Sequence, residues 1–290
     1  MNESLIPPSE LPLNADGSAY HIALKPEEVA DTVITVGDPG RVLLMNKYFD
    51  HIECEKHRRE FVSITGRVGE KRITVISTGI GPDNIDIVLN ELDVLVNIDL
   101  KTRMIKPEKK SLQVIRLGTS GAMQENIPVD SIVLSAAVIG MDNLMHFYEV
   151  DWTEEETGMR THLHQHLALT DFKEKPYCAS ADSNVLKKFS SLGQSGITVT
   201  CPGFYGPQGR QLRGVPAHKN YLDTLRSFRF GNWRTTNFEM ETSAIYGLSR
   251  MLGHRALSIS YIVANRITHQ FSADHSAGID KMISNALDLI

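Results

Sequence analysis

The stretch Thr32–Val42, TVITVGDPGRV, decides the fold class. Its first five residues are β-branched and read as a buried strand. Gly37 ends that run, Asp38 can cap a helix, and Pro39 suits the first helical position. A strand that turns directly into a helix is the repeating unit of α/β proteins. Outward from it, β-rich runs recur at Ile73–Ile76, Val114–Leu117, Ile132–Val138, Ile197–Thr200 and Leu257–Ala264. Between them, Asp83–Val96 spaces Ile85, Val88, Leu92 and Leu95 along one helical face, with Asp83 and Asn84 as start signals. Glu239–Leu252 does the same with Met240, Ala244, Ile245, Leu248 and Met251. The alternation predicts an α/β architecture with a largely internal sheet. No long linker, repeat or low-complexity tract divides the chain, so one domain over residues 1–290 is expected. Residues 1–20 read as an N-terminal arm, and Lys101–Lys110 and Asn143–Lys175 as surface excursions.

The composition narrows the class of function. With 290 residues, 41% hydrophobic and 22% charged, the chain has the balance of a soluble globular protein. Thirty basic and thirty-five acidic side chains leave a net charge of −5, without the cationic excess that sequence-independent nucleic-acid binding needs. Three cysteines, Cys54, Cys178 and Cys201, are too few and too dispersed for a disulfide framework or a CxxC metal site, which suits a reducing compartment. The first twenty residues lack a basic segment followed by an apolar run, and no stretch reaches about 18 consecutive apolar residues. The expectation is a cytoplasmic protein with neither a nucleic-acid nor a membrane partner.

Three strand exits carry glycine with a polar or cationic neighbour. One is Gly37 with Arg41; a second is STGIGPDN from Ser77 to Asn84; a third is RLGTSGA, with Arg116, Gly118, Thr119, Ser120 and Gly121. A glycine turn before a helix start exposes N–H groups to an anion, and arginine adds charge. Each turn alone is weak and its arginine could be a solvated charge; three together favour an oxyanion site. No GxxxxGK[ST] is present, which disfavours a P-loop nucleotide hydrolase.

These segments also fall in a recognisable order: GDPGR at 37–41, HRREF at 57–61, STGIG at 77–81, RLGTSGA at 116–122, FYGPQGR at 204–210, NFEMET at 237–242 and VANR at 263–266. The ordered set resembles the nucleoside phosphorylase family, and within it the uridine phosphorylase branch, over roughly His21 to Arg266. The resemblance implies a three-layer α/β/α sandwich built on a mixed, barrel-like sheet. It implies phosphorolysis of uridine to uracil and ribose 1-phosphate, with inorganic phosphate as co-substrate and no cofactor. It also implies a homo-oligomer, at least a dimer and commonly a hexamer in that family, in which two subunits complete each site.

Residue by residue, the resemblance places Gly37, Arg41, Arg116 and Thr119 around phosphate, with Arg59 reaching in from the neighbouring subunit; Arg58 is its rival. Arginine suits this task because its planar guanidinium stays charged and donates paired hydrogen bonds. Glu241, Met240 and Thr119 match the ribose site, and His21 matches a residue lent by the partner to the 5′-hydroxyl. Ser120, Phe204, Gln208, Arg210 and Arg266 match the base site. There Gln208 offers an amide donor and acceptor to a uracil edge. Arg210 offers fixed positive charge to a departing pyrimidine anion and is too weak an acid to protonate it. Phe204 either stacks on the base or simply packs. Arg41, Arg116, Glu241 and Arg210 are the expected catalytic residues.

Taken locally, Glu239 and Glu241 would point about 200° apart if both stood on a helix, so they are not expected to act as a pair. A purine site would more naturally supply an acid to N7; the purine branch has an aspartate where this chain reads VANR, without a carboxylate. GIGPDN replaces the branch's usual GIGGPS, placing Asn84 where a serine helps hold a monovalent cation beside Glu60, so a potassium site is not expected. Ser120 and Phe238 replace a common threonine and tyrosine, leaving deoxyuridine and thymidine open as substrates. His162, His164 and His166 would share one side of a strand and could bind metal there. A solvated loop or edge is preferred, and no metal site is assigned. The alternatives to uridine phosphorolysis are a broader pyrimidine or a purine nucleoside phosphorylase, a nucleosidase, and a non-catalytic nucleoside-binding relative.

Overall fold

The computed structural model describes residues 5–168, 175–218 and 220–290. Thr32–Val36 forms β1, with Val33, Ile34 and Val36 fully buried. Asp38 then caps α1 (Pro39–Leu44), accepting the Gly40 N–H at 2.8 Å. The other strands are β2 (His51–Arg58), β3 (Phe61–Val68), β4 (Lys71–Ser77), β5 (Ile98–Asp99), β6 (Met104–Ile105), β7 (Gln113–Ala122), β8 (Ile132–Gly140), β9 (Tyr177–Ser180), β10 (Gln194–Thr200), β11 (Arg229–Phe230), β12 (Trp233–Glu239), β13 (Arg255–Asn265) and β14 (Gln270–Phe271). The other helices are α2 (Pro82–Asn97), α3 (Glu154–Leu167), α4 (Ser183–Phe189), α5 (Tyr221–Ser227), α6 (Thr242–Leu252) and α7 (His275–Leu289).

Five strands close on themselves in the order β12, β10, β8, β13, β7 and back to β12, and β1, β4, β3 and β2 extend the sheet from β7. Pairing is mixed: β7 runs parallel to β1 and β13, whereas β13 is antiparallel to β8 and β12 to β7. Register shifts at Gly196/Ile197 in β10 and Ile262/Ala264 in β13 supply the bends that a closed sheet needs. Gly196 is required at its bend, because a Cβ there would lie 2.2 Å from Thr236 Cγ2.

Helices cover both faces. Ile85, Val88, Leu92 and Leu95 of α2 pack with Ile245 and Leu248 of α6 against Val33 and Val114. On the opposite face, Val42, Phe189, Ile279 and Met282 from α1, α4 and α7 cover Ile34 and Ile115. This is the expected three-layer sandwich on a mixed, barrel-like sheet.

Four local expectations are corrected. Gly118–Gly121 is not a turn but lies inside β7, because β13 pairs along this whole segment and β12 at its end. Glu239 ends a strand and α6 begins only at Thr242, so the two glutamates are not on one helix. Helix α2 starts one residue before Asp83, behind Gly81 at φ 103°. The segment 143–175, whose residues 169–174 lie outside those described, is not a surface excursion. Its α3 buries Met159, Leu163 and Leu167 against Ile197, Val199 and Phe228.

The histidine run sits on α3, where His164 diverges from the other two, while His162 and His166, four residues apart, both lie against Phe228 at 5.7 and 5.5 Å. His164 Nε2 meets the Pro176 carbonyl at 2.8 Å, and His166 Nε2 meets that of Thr224 at 2.8 Å. In the N-terminal segment, Leu13 pairs with Ala19 and Leu11 is buried. Lys101–Lys110 stays largely at the surface. No described helix is long and apolar enough to cross a membrane.

Because Leu92 is 1% exposed in the core that α2 shares with α6, Leu92→Ala is expected to destabilise the fold by about 2–5 kcal/mol in a urea titration.

Candidate active site

A cavity of about 640 Å³ opens above the barrel, bounded by the loop after β1, the loop after β4, the centre of β7 and the end of β12. Arg116 stands on β7 and is buried on all sides. Its Nη2 donates to Glu241 Oε2 at 2.5 Å and lies 3.2 Å from Glu239 Oε2. Its Nη1 is buried with no partner among the described residues. A buried donor left unpaired is costly, so this N–H is a standing request for an acceptor such as an anion oxygen. The guanidinium fits only because residue 118 is glycine: a Cβ there would lie 1.8 Å from Nη1.

Arg41, on α1, faces the same space and donates from Nη1 to the Leu117 carbonyl at 3.1 Å. Burial, followed by the charge of Arg116, pulls the Arg41 pKa below its ordinary value. Two guanidiniums pressed together in this way favour an incoming anion. Gly37 and Thr119 complete this wall.

Glu241 precedes α6 and is buried. Its Oε1 accepts the Gly81 N–H at 3.0 Å, and burial pushes its carboxyl pKa up against the opposing pull of Arg116. Glu239 converges on the same guanidinium, which corrects the expectation that the two glutamates act apart. They meet because Glu239 leaves the end of a strand, whereas Glu241 lies at the start of the following helix. Met240, between them, lines the cavity.

The opposite end is aromatic and cationic. Gln208 is buried in a short 3-10 turn, Gly206–Gln208. Arg210 Nη1 donates to Gln208 Oε1 and to the Phe204 carbonyl, each at 2.5 Å, and the guanidinium lies 3.7 Å from the Phe204 ring centre. Arg266 Nη1 donates to the Gln208 carbonyl at 3.1 Å. Both guanidiniums approach the Phe238 ring, at 5.9 and 5.8 Å. Burial, and then the charge of Arg266, lowers the Arg210 pKa. Ser120, which accepts from Asn237 Nδ2 at 3.0 Å, also lines the cavity.

The structure thus brings Gly37, Arg41, Arg116, Thr119, Ser120, Phe204, Gln208, Arg210, Met240 and Glu241 to one cavity, with Arg266 behind Gln208. His21 and Arg59 lie outside it. His21 Nδ1 is 2.6 Å from Glu91 Oε1, and Arg59 sits in the β2–β3 turn at φ 56°. Its neighbour Arg58 lies against the Tyr20 ring at 5.5 Å. Glu239, which the sequence sets apart from Glu241, belongs to this site, and the Gly81 N–H and Phe271 join it without a sequence signal. The first carboxylate of NFEMET, two residues before Glu241, is the available signal for Glu239.

Residues 31–289 match the family described as the phosphorylase superfamily, and the chain belongs to it. A uridine phosphorylase of Thermococcus kodakarensis is 31% identical over 269 residues, covering 91% of this chain and 83% of that protein. A purine nucleoside phosphorylase of Alkaliphilus metalliredigens is 28% identical over 254 residues, covering 86% of this chain and 89% of that protein. A solved nucleoside phosphorylase of Trypanosoma brucei, described as showing uridine phosphorylase activity, superposes with a TM-score of 0.85 at 30% identity, covering 96% of this chain and 97% of that one. At the level the family sets, the protein is a nucleoside phosphorylase, a pentosyltransferase.

Since a methyl group at residue 118 would displace Arg116, Gly118→Ala is expected to lower kcat/KM for phosphorolysis about 100-fold, measured by steady-state kinetics.

Proposed function

We propose that the protein phosphorolyses uridine. A phosphate oxygen, held by Arg41 and Arg116 with Gly37 and Thr119, attacks C1′ of the ribose. The C1′–N1 bond breaks and its electron pair leaves with the base, giving ribose 1-phosphate and the uracil anion. That anion spreads its charge onto two carbonyl oxygens, so hydrogen-bond donors and fixed positive charge there stabilise its departure without a proton donor. Glu241 and Met240, with Thr119, hold the sugar as positive charge builds at its ring.

The observation that carries the choice of base is the clamp of Arg210 on Gln208 Oε1 beside the Phe204 face, backed by Arg266. The clamp fixes the amide so that its N–H2 presents a donor toward a base carbonyl, with a guanidinium next to it. Phe204 is half exposed at the cavity wall, placed to stack on a ring. No acid for a purine N7 is offered from the end of β13. Asn265 stands there, and its side chain is spent on the Gln124 and Ile127 carbonyls and on the Ile267 and Thr268 N–H groups. Uridine phosphorylases stand among the relatives and so do several purine nucleoside phosphorylases, so the choice of base rests on the clamp rather than on their names.

His21 and Arg59 serve the site of a neighbouring copy in this reading, so the working form is at least a dimer. Residues outside their own cavity yet matching the family's site residues support that assembly.

The test is base release from uridine and from inosine, each with and without phosphate. Phosphate-dependent release from uridine, and little from inosine, is the expected result; inosine-only turnover or phosphate-independent release overturns it. Arg210→Leu is expected to lower kcat on uridine by about 100-fold or more while leaving the KM for phosphate nearly unchanged.

A further inference from the structure

We infer that Thr200 is a positioning residue for the reaction, acting through Glu239 on the carboxylate and guanidinium that meet the substrates. Thr200 is the last residue of β10, is fully buried and does not line the cavity. It lies directly beside Glu239 in the parallel β10–β12 pair. Its hydroxyl donates to Glu239 Oε1 at 2.6 Å and accepts the Ser243 N–H of α6 at 2.9 Å.

Glu239 in turn ties three things together. Its Oε2 accepts the N–H groups of Glu241 and Thr242, each at 2.9 Å, and lies 3.2 Å from Arg116 Nη2. One hydroxyl therefore pins both a buried carboxylate and the first turn of the helix behind Glu241. The far side of that turn is pinned as well: Ser243 Oγ donates to Asp142 Oδ2 at 2.6 Å, and Tyr177 holds the same carboxylate at 2.9 Å. Without the hydroxyl, the Ser243 N–H loses its acceptor and Glu239 Oε1 keeps only a 3.2 Å bond from Thr242. Glu239 then stays held mainly through Oε2, its Oε1 anchor to β10 is lost, and the hold on the Glu241 backbone and on Arg116 loosens with it. A hydrogen bond to a buried charged group is worth more than a neutral one, so its loss is expected to register in turnover.

The inference rests on the proposed assignment of Glu241 to the sugar hydroxyls, and the experiment keeps the two apart. Thr200→Val keeps the shape and removes the hydroxyl; Thr200→Ser keeps the hydroxyl; Glu241→Ala removes the carboxylate itself. For each, kcat/KM is measured on the ribonucleoside and on the 2′-deoxyribonucleoside of the base the enzyme accepts. Thr200→Val is expected to lose about tenfold or more on the ribonucleoside and less on the deoxy substrate, with Thr200→Ser near the unmodified enzyme. A merely structural role would lower both substrates by one common factor, as active protein is lost. An unchanged ratio in Thr200→Val alone overturns the inference. An unchanged ratio in Glu241→Ala as well overturns the sugar assignment and the inference with it.

Discussion

The site depends on a buried guanidinium caught between two carboxylates. Arg116 is held by Glu241 at 2.5 Å and by Glu239 at 3.2 Å, beneath a glycine that leaves it room. Taking these charges out of water is expensive, and only close pairing and saturated hydrogen bonding offset the cost. The carboxylates take theirs from backbone, from the N–H groups of Gly81, Glu241 and Thr242, while Arg116 Nη1 keeps no partner among the described residues. Arg41 faces the same space, so two guanidiniums stand against two carboxylates at this wall. Directed N–H donors held this firmly favour one geometry of anion, which is what the proposed in-line attack on a sugar carbon requires.

The closed part of the sheet is what makes that geometry possible. Arg116 and the Glu239–Glu241 pair come from distant parts of the chain, and they meet because β7 and β12 are neighbours across the closure. The seam is narrow: Phe238 pairs with Gly121, where a Cβ would come within 3.0 Å of the Phe238 ring. Arg210 and Arg266 approach the same ring, so one aromatic joins the closure of the barrel to the cationic end of the cavity.

What could be read from the sequence followed local chemistry. Thr32–Val42 was legible as strand, cap and helix because β-branching, an Asp side chain and a proline each act within a few residues. The buried face of α2 was legible because its spacing is regular. The polar edge strand β2 and the strand Trp233–Glu239 carry no such apolar alternation and were passed over. Gly118–Gly121 read as a turn because glycine usually marks one, whereas here it makes room for Arg116 and Phe238. The histidines of α3 were misread because alternate residues share a face only in a strand, and that helix buries few but decisive apolar residues. In the site, individual residues were recoverable from ordered motifs. The convergence of Glu239 and Glu241 was not, since it arises from a strand ending where a helix begins.

The sheet closes on itself at one end but stops openly at β2, whose unpaired backbone could in principle template another strand. That margin is lined with Glu53, Glu55, Lys56, His57 and Arg58, most of them projecting into water. Annealing a further strand there would strip hydration from several charges at once, a penalty that blocks runaway fibre-like stacking. The free border thus carries an ionic fringe that resists the addition of another strand.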